Sequence, residues 1–226
     1  SALRPGRVLV VLPGWGLAAF LLLAGGSAAA ASVVLPAPPD VGVFPAFAYD
    51  AEGHRIGRSE LALEGPHDGR FRVRIETTVA AGGRMRATAE LEQTAGGLRL
   101  LREESQAFSG DGLAFPLLHV DHVAGVATCT PTPGSGESFR RIDLEDDERI
   151  VNVPLNLLFL PLVRGEVEEI EFQIFLCSRG ARVVDFVARA RRLEGTGGRT
   201  VVEVRYRPDL GPFSWIAQPL LPELAF

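Results

Sequence analysis

RFRVRIETTVAAGGRMRATAELE, residues Arg70 to Glu92, decides the fold. Phe71, Val73, Ile75 and Val79 occupy odd positions, while Arg70, Arg72, Arg74, Glu76 and Thr78 occupy even ones. A period of two means a strand with one buried and one wet face. Ala80 to Gly83 (AAGG) supplies a turn. The pattern then resumes with Met85, Ala87, Ala89 and Leu91 inward and Arg84, Arg86, Thr88, Glu90 and Glu92 outward. This predicts a hairpin whose outer face pairs opposite charges across strands.

The same alternation recurs on both sides. Ile56 to Leu63 reads as an earlier strand ended by Gly65-Pro66, and Gly96-Gly97 turns into Leu98 to Glu104. Later, Ile170, Phe172, Ile174 and Leu176 alternate with Glu169, Glu171, Gln173 and Phe175. Val183 to Leu193 and Thr200 to Arg207 follow, separated by Gly195 to Gly198. Long strands joined by short glycine turns mean an antiparallel meander. No strand–helix–strand alternation occurs, which argues against a parallel nucleotide-binding sheet. The expected fold is all-β: a strongly curved sheet or incomplete barrel with one or two short helices, built as one continuous sheet. Phe108 to Gly136 is poorly patterned and reads as loops with one strand near Leu117 to Val123.

Two stretches are almost wholly apolar: Val153 to Val163 (VPLNLLFLPLV) and Pro212 to Phe226 (PFSWIAQPLLPELAF). The first reads as a short helix across the concave face or a buried strand. Both read as core packing or as a hydrophobic lid. The small inward Ala87 and Ala89 leave room inside the sheet. The expected lining of that space is Phe71, Val73, Ile75, Met85, Leu91, Phe172, Ile174 and Phe186.

Arg4 and Arg7 precede an uncharged run from Val8 to Pro39. Its densest part is LAAFLLLA, Leu17 to Ala24, and GGSAAAAS follows at Gly25 to Ser32. Positive start, apolar middle and small-residue end are the parts of a secretory signal. Val8 to Ala31 is also long enough to span a bilayer as a retained anchor. Residues 1–31 are therefore expected to be a signal or anchor, 32–45 a proline-rich tether, and 46–226 a β-rich periplasmic domain. All 23 basic residues are arginine, a mark of GC-rich coding and of a bacterial source. Beyond residue 31 the chain carries 21 basic and 28 acidic residues, a balance of −7. That argues against nucleic acid as a partner, since phosphate neutralisation needs a basic footprint.

The chemistry-bearing groupings are few. Cys129 and Cys177 are the only cysteines, and an even pair in an exported chain favours a disulfide. His119, Asp121 and His122 form H-x-D-H; on a strand His119 and Asp121 share a face and His122 points oppositely, so a third ligand of the three or four zinc requires would have to come from elsewhere. Glu145 to Glu148 is an acidic run lacking the glycine of a calcium loop. Arg189, Arg191 and Arg192, with Arg179 and Arg182 nearby, read as a charged outer face opposite Glu169 and Glu171, or as a contact for an anionic headgroup. There is no nucleophile elbow, P-loop or dinucleotide fingerprint. No metal, cofactor or catalytic residue is expected, although a hydrolase with an unpatterned site stays open.

An export segment comes first, then a tyrosine-containing first strand (FAYDAEGHRIGRSEL, Phe47 to Leu61), then long hairpins and an apolar crossing segment. This order resembles the bacterial LolA/LolB-like lipoprotein carriers, open half-barrels around a hydrophobic cavity. The resemblance is architectural, over Phe44 to Arg207, and no functional residue is carried over from it. It implies a non-enzymatic protein accepting a lipid, an acyl chain or a partner on its concave face. The alternative is an anchored accessory subunit docking on a membrane-protein partner.

Overall fold

The computed structural model of the protein describes residues 33–37, 40–49, 55–79, 82–145, 149–177, 181–194, 200–209 and 224–225. The quoted stretch forms β4 (Arg70–Val79) and β5 (Arg84–Thr94), in register Arg70 opposite Glu92 and Ile75 opposite Ala87. Val73 and Ile75 are buried while their Arg and Glu neighbours are exposed. On the wet face Arg72 pairs with Glu90 at 3.6 Å and Arg86 with Glu76 at 3.9 Å.

The remaining strands extend this hairpin in both directions. β2 (Gly42–Tyr49), β3 (Arg55–His67), β6 (Gly97–Phe108), β7 (Leu117–Asp121), β8 (Val126–Thr130) and β9 (Arg140–Asp143) join it in the order β2-β3-β4-β5-β6-β7-β8-β9. β1 (Val34–Leu35) pairs with β6 and makes the ninth strand. The result is a large, curved, antiparallel sheet that does not close. A second sheet holds β10 (Glu169–Leu176), β11 (Arg182–Glu194), β12 (Thr200–Pro208) and β13 (Leu224–Ala225). Between the sheets in sequence lie two short helices, α1 (Leu155–Leu158) and α2 (Leu160–Arg164).

The all-β, curved, open architecture agrees with the sequence pattern, and four details differ. The strand set divides into two sheets instead of one, and Ile150, outside both, makes an isolated parallel bridge to Gln173 of β10. The cause is the apolar 153–163 stretch. It must be buried on most sides, so it runs inside the molecule and carries the chain from one layer to the other. The stretch from Phe47 to Leu61 is two paired strands, with Phe47 opposite Arg58. Gly65-Pro66 does not end β3, which continues to His67 with a register shift after Glu64. The patternless middle holds two strands, β7 and β8, joined by a tight turn.

The expected proline-rich tether is part of the fold. Leu100 donates its backbone N–H to the Val33 carbonyl at 2.8 Å, and Leu35 is fully buried. Gly97 permits this approach. Its φ of 142° suits glycine, and a Cβ there would collide with the Leu35 carbonyl. Residues 42–45 belong to β2. The expected signal or anchor, residues 1–31, lies outside the described residues, as does most of 212–226. No described helix is long and apolar enough to cross a membrane.

Candidate functional site

The inner face of the large sheet is built by rows of opposed residues. One row runs Phe44, Leu61, Ile75, Ala87; the next runs Gly42, Leu63, Val73, Ala89, Glu103, Val120, Ala127, Ile142. Where α1, α2 and the second sheet cover it, this face forms the main core. Leu61, Val73, Ile75, Leu91, Leu98 and Leu100 pack there in one cluster with Val153, Leu157, Phe159, Phe172 and Phe186. Phe159, Phe172, Phe186 and Tyr206 contact one another with ring centroids 5.5 to 6.0 Å apart. A smaller core joins Leu118, Val120, Ala127 and Cys129 to Ile150 and Phe175.

Seven of the eight expected lining residues therefore come together. Val73, Ile75, Leu91, Phe172 and Phe186 are buried in the main core, with Phe71 and Ile174 packed against it. They are packed side chains, and the room expected beside Ala87 and Ala89 lies within the same cluster as the helix pair. Met85 stands apart. It is 36% exposed, beyond the covered zone, and the same end of the inner face carries Val79 at 43% exposure, while Phe44, 41% exposed, ends the Leu61, Ile75, Ala87 row at the β2 edge. Thr77 lies opposite Met85 and Gly57 opposite Val79, which fixes both on the inner-face parity. The inner face thus has a sealed part and an open end, where Met85 and Val79 flank the hydrogen-bonded Ser59 and Thr77 hydroxyls.

At the seam between the two cores sits a polar group that the alternation pattern hides. In β6 the register shifts, so Leu91 opposes Leu100 while Glu90 opposes Arg102. Leu101 is the extra residue of a β-bulge, and every later side chain changes face. Glu103 consequently points inward, opposite Ala89 and Val120. Its side chain is fully buried and that of the adjoining His122 is 5% exposed. His122 Nε2 lies 3.0 Å from Glu103 Oε1. The backbone N–H groups of Asn152 and Val153 donate to Oε2 at 2.7 and 2.6 Å. The Asn152 amide in turn accepts from the Phe175 N–H at 3.1 Å and donates to the Phe175 carbonyl at 2.7 Å. One carboxylate thereby joins β6, the β7–β8 turn, the helix entry and β10.

The other groupings resolve into structural roles. Cys129 and Cys177 form the expected disulfide, with Cα atoms 5.6 Å apart, tying β8 to the end of β10. His122 is taken up by Glu103. Asp121 pairs with Arg102 at 3.0 Å and accepts the Val123 and Ala124 N–H groups. Burial pushes the Asp121 carboxyl up, but the Ala124 N–H and the Arg102 guanidinium more than offset this and hold it below its ordinary value. No group of three or more metal-ligating side chains occurs among the described residues. Arg189 pairs with Glu169 and Arg205 with Glu203, so this outer face carries both signs of charge. Arg179 and Asp146 to Glu148 lie outside the described residues.

No family model and no curated protein matches the chain. Among solved structures, a β-barrel-like protein of a domain of unknown function, DUF1849, from Brucella abortus is similar. It is 14% identical, has a TM-score of 0.40, and the match covers 81% of this chain and 85% of that one. A surface cleft of about 380 Å³ is rimmed by Arg149, Glu171, Gln173, Asp185 and Asp209 over Phe172 and Phe186.

Proposed function

We propose that this is a non-enzymatic, exported periplasmic protein that holds an apolar ligand, of the acyl-chain class, on the inner face of its large sheet. The observation that carries the reading is the open end of that face. Met85 and Val79 are exposed there, Met85 one row beyond the buried Leu61, Ile75 and Ala87, and Phe44 is exposed at the β2 edge of that buried row. Exposed large apolar groups adjoining a core are where an apolar ligand gains most from leaving water. The carrier-like resemblance to the LolA/LolB group supports the same role.

The test is uptake of a fluorescent fatty acid by the purified protein, compared with the Met85→Arg variant. A guanidinium placed on the open end should weaken uptake roughly tenfold or more. The unfolding midpoint should hold, because Met85 is partly exposed. Absence of uptake by the parent protein, or equal uptake by the variant, overturns the reading.

A second reading rests on β2. Gly42–Tyr49 is an edge strand of the described sheet without a charged residue; Val43 and Phe47 in it, Val41 before it and Ile56 in neighbouring β3 are exposed. Native edges are usually blunted by charge. In this reading the protein is an accessory subunit that docks on a membrane-protein partner along β2. Failed uptake by the parent protein, with loss of partner co-purification on Val43→Glu, favours it.

A further inference from the structure

Glu103 and His122 are the buried charged or titratable residues among the described ones, apart from the phenol of Tyr206. A buried carboxylate is costly unless well paired, and apolar side chains of similar volume commonly serve stability as well or better. Glu103 meets that cost with donors from two separate elements. His122 comes from the turn between β7 and β8, and Asn152 and Val153 from the entry to the helix pair. Against a carboxylate the imidazole acts as donor.

We propose that Glu103 is a latch that keeps the α1–α2 segment closed over the inner face, and that releasing it uncovers apolar surface for a ligand. This rests on the apolar-ligand reading above. Leu155, Leu157, Phe159 and Leu162 of the helix segment are buried in the main core. The segment therefore covers part of the main core. Helices of four and five residues do not persist alone, so the segment is held by its packing and by its ends. At the far end Gly165 adopts φ 75°, a conformation that terminates α2 without fixing the segment through a side chain. At the near end are the Glu103 carboxylate and the Asn152 clasp on Phe175. When the segment leaves, the carboxylate loses its two backbone donors together and must be hydrated instead. The tie is thus made or broken as a unit, as a two-position element requires.

Hydrogen exchange of the full chain, parent against Glu103→Gln, tests the latch without any ligand. The substitution keeps the shape but removes the charge from the hydrogen bonds. Exchange over residues 151–166 should rise roughly ten- to a hundredfold, while β3, β4 and β5 keep their protection. A uniform rise across both sheets, or no change, overturns the latch and leaves Glu103 a purely structural group. If Glu103→Gln fails to fold, Asn152→Ala breaks only the clasp on Phe175 and allows the same regional comparison. Fluorescent fatty acid uptake, measured in parallel, should accelerate with the opening. Regional opening with no uptake by parent or variant supports the latch and sinks the ligand reading. Unchanged exchange with normal parental uptake sinks the latch alone.

Discussion

Tyr206 sits among Phe159, Phe172 and Phe186, with ring centroids 5.9, 6.0 and 5.9 Å away. Burial pushes its hydroxyl up to about 12 from an ordinary 10. The folded state therefore keeps this proton where the unfolded chain has released it. The resulting stability is fully present below pH 10 and is lost as pH rises through about 12. The span corresponds to about 2–3 kcal/mol. Denaturant midpoints measured from pH 8 to 12 should fall steeply in the parent protein and less so in Tyr206→Phe. Parallel curves for the two proteins would show that the hydroxyl does not govern the alkaline limb. Glu103 teaches a different lesson at this scale. In LRLLREES strict alternation from Leu98 and Leu100 places residue 103 outside. One bulge at Leu101 reverses that assignment. The doubled leucine was the only trace of it in the sequence, and a doubled leucine does not say whether a strand bulges or ends.

At the scale of elements, the disulfide is the covalent link between the two layers. Cys129 lies in β8 and Cys177 follows β10, 48 positions apart in sequence. Closing such a loop contributes about 3–4 kcal/mol in the chain-entropy model. Reduction, or paired Cys129→Ala and Cys177→Ala replacement, should lower the unfolding free energy by that order. Exchange should rise most around Val120, Ala127 and Phe175, which form the smaller core with Cys129. Two reactive thiols in unreduced, denatured protein would sink this prediction. The hairpins were legible because each strand buries one face only, which writes a period of two into the sequence. The partition into two sheets was not. Strands facing each other across a core and strands side by side in one sheet carry the same alternation. What separates them is where the 153–163 segment runs, and a uniformly apolar run has no period to reveal it. The eight expected lining residues show the same limit. Alternation placed them on inward faces. It was silent on cover, so Met85 at the open end looked no different from Leu91 beneath the packing.

For the whole molecule, the first described residues constrain how the chain is processed. Val33 is buried in the main core, its carbonyl accepts from Leu100, and Leu35 is fully buried beside β6. A cut after Val33 would remove apolar cover and a sheet hydrogen bond together, and so would be selected against by stability. A cut well before Ala28 would leave a run of alanines and apolar residues attached to a folded surface. The small residues Ala28 and Ala30 suit the requirement of a signal-peptide cleavage site. We therefore expect mature protein from the native envelope to begin between Ala29 and Ser32. Intact-mass measurement of that protein checks this directly. Recovery of the uncut N-terminus in the membrane fraction would replace the cleaved-signal expectation with the anchor. In that case the folded body would start within about two residues of the apolar run, too short a connection to act as a flexible tether. The body would then be held against the bilayer surface, which favours the accessory-subunit reading over a carrier that must diffuse. A mature start at Ala29 to Ser32 leaves the carrier free to move, and fatty acid uptake by that processed form then decides between the two.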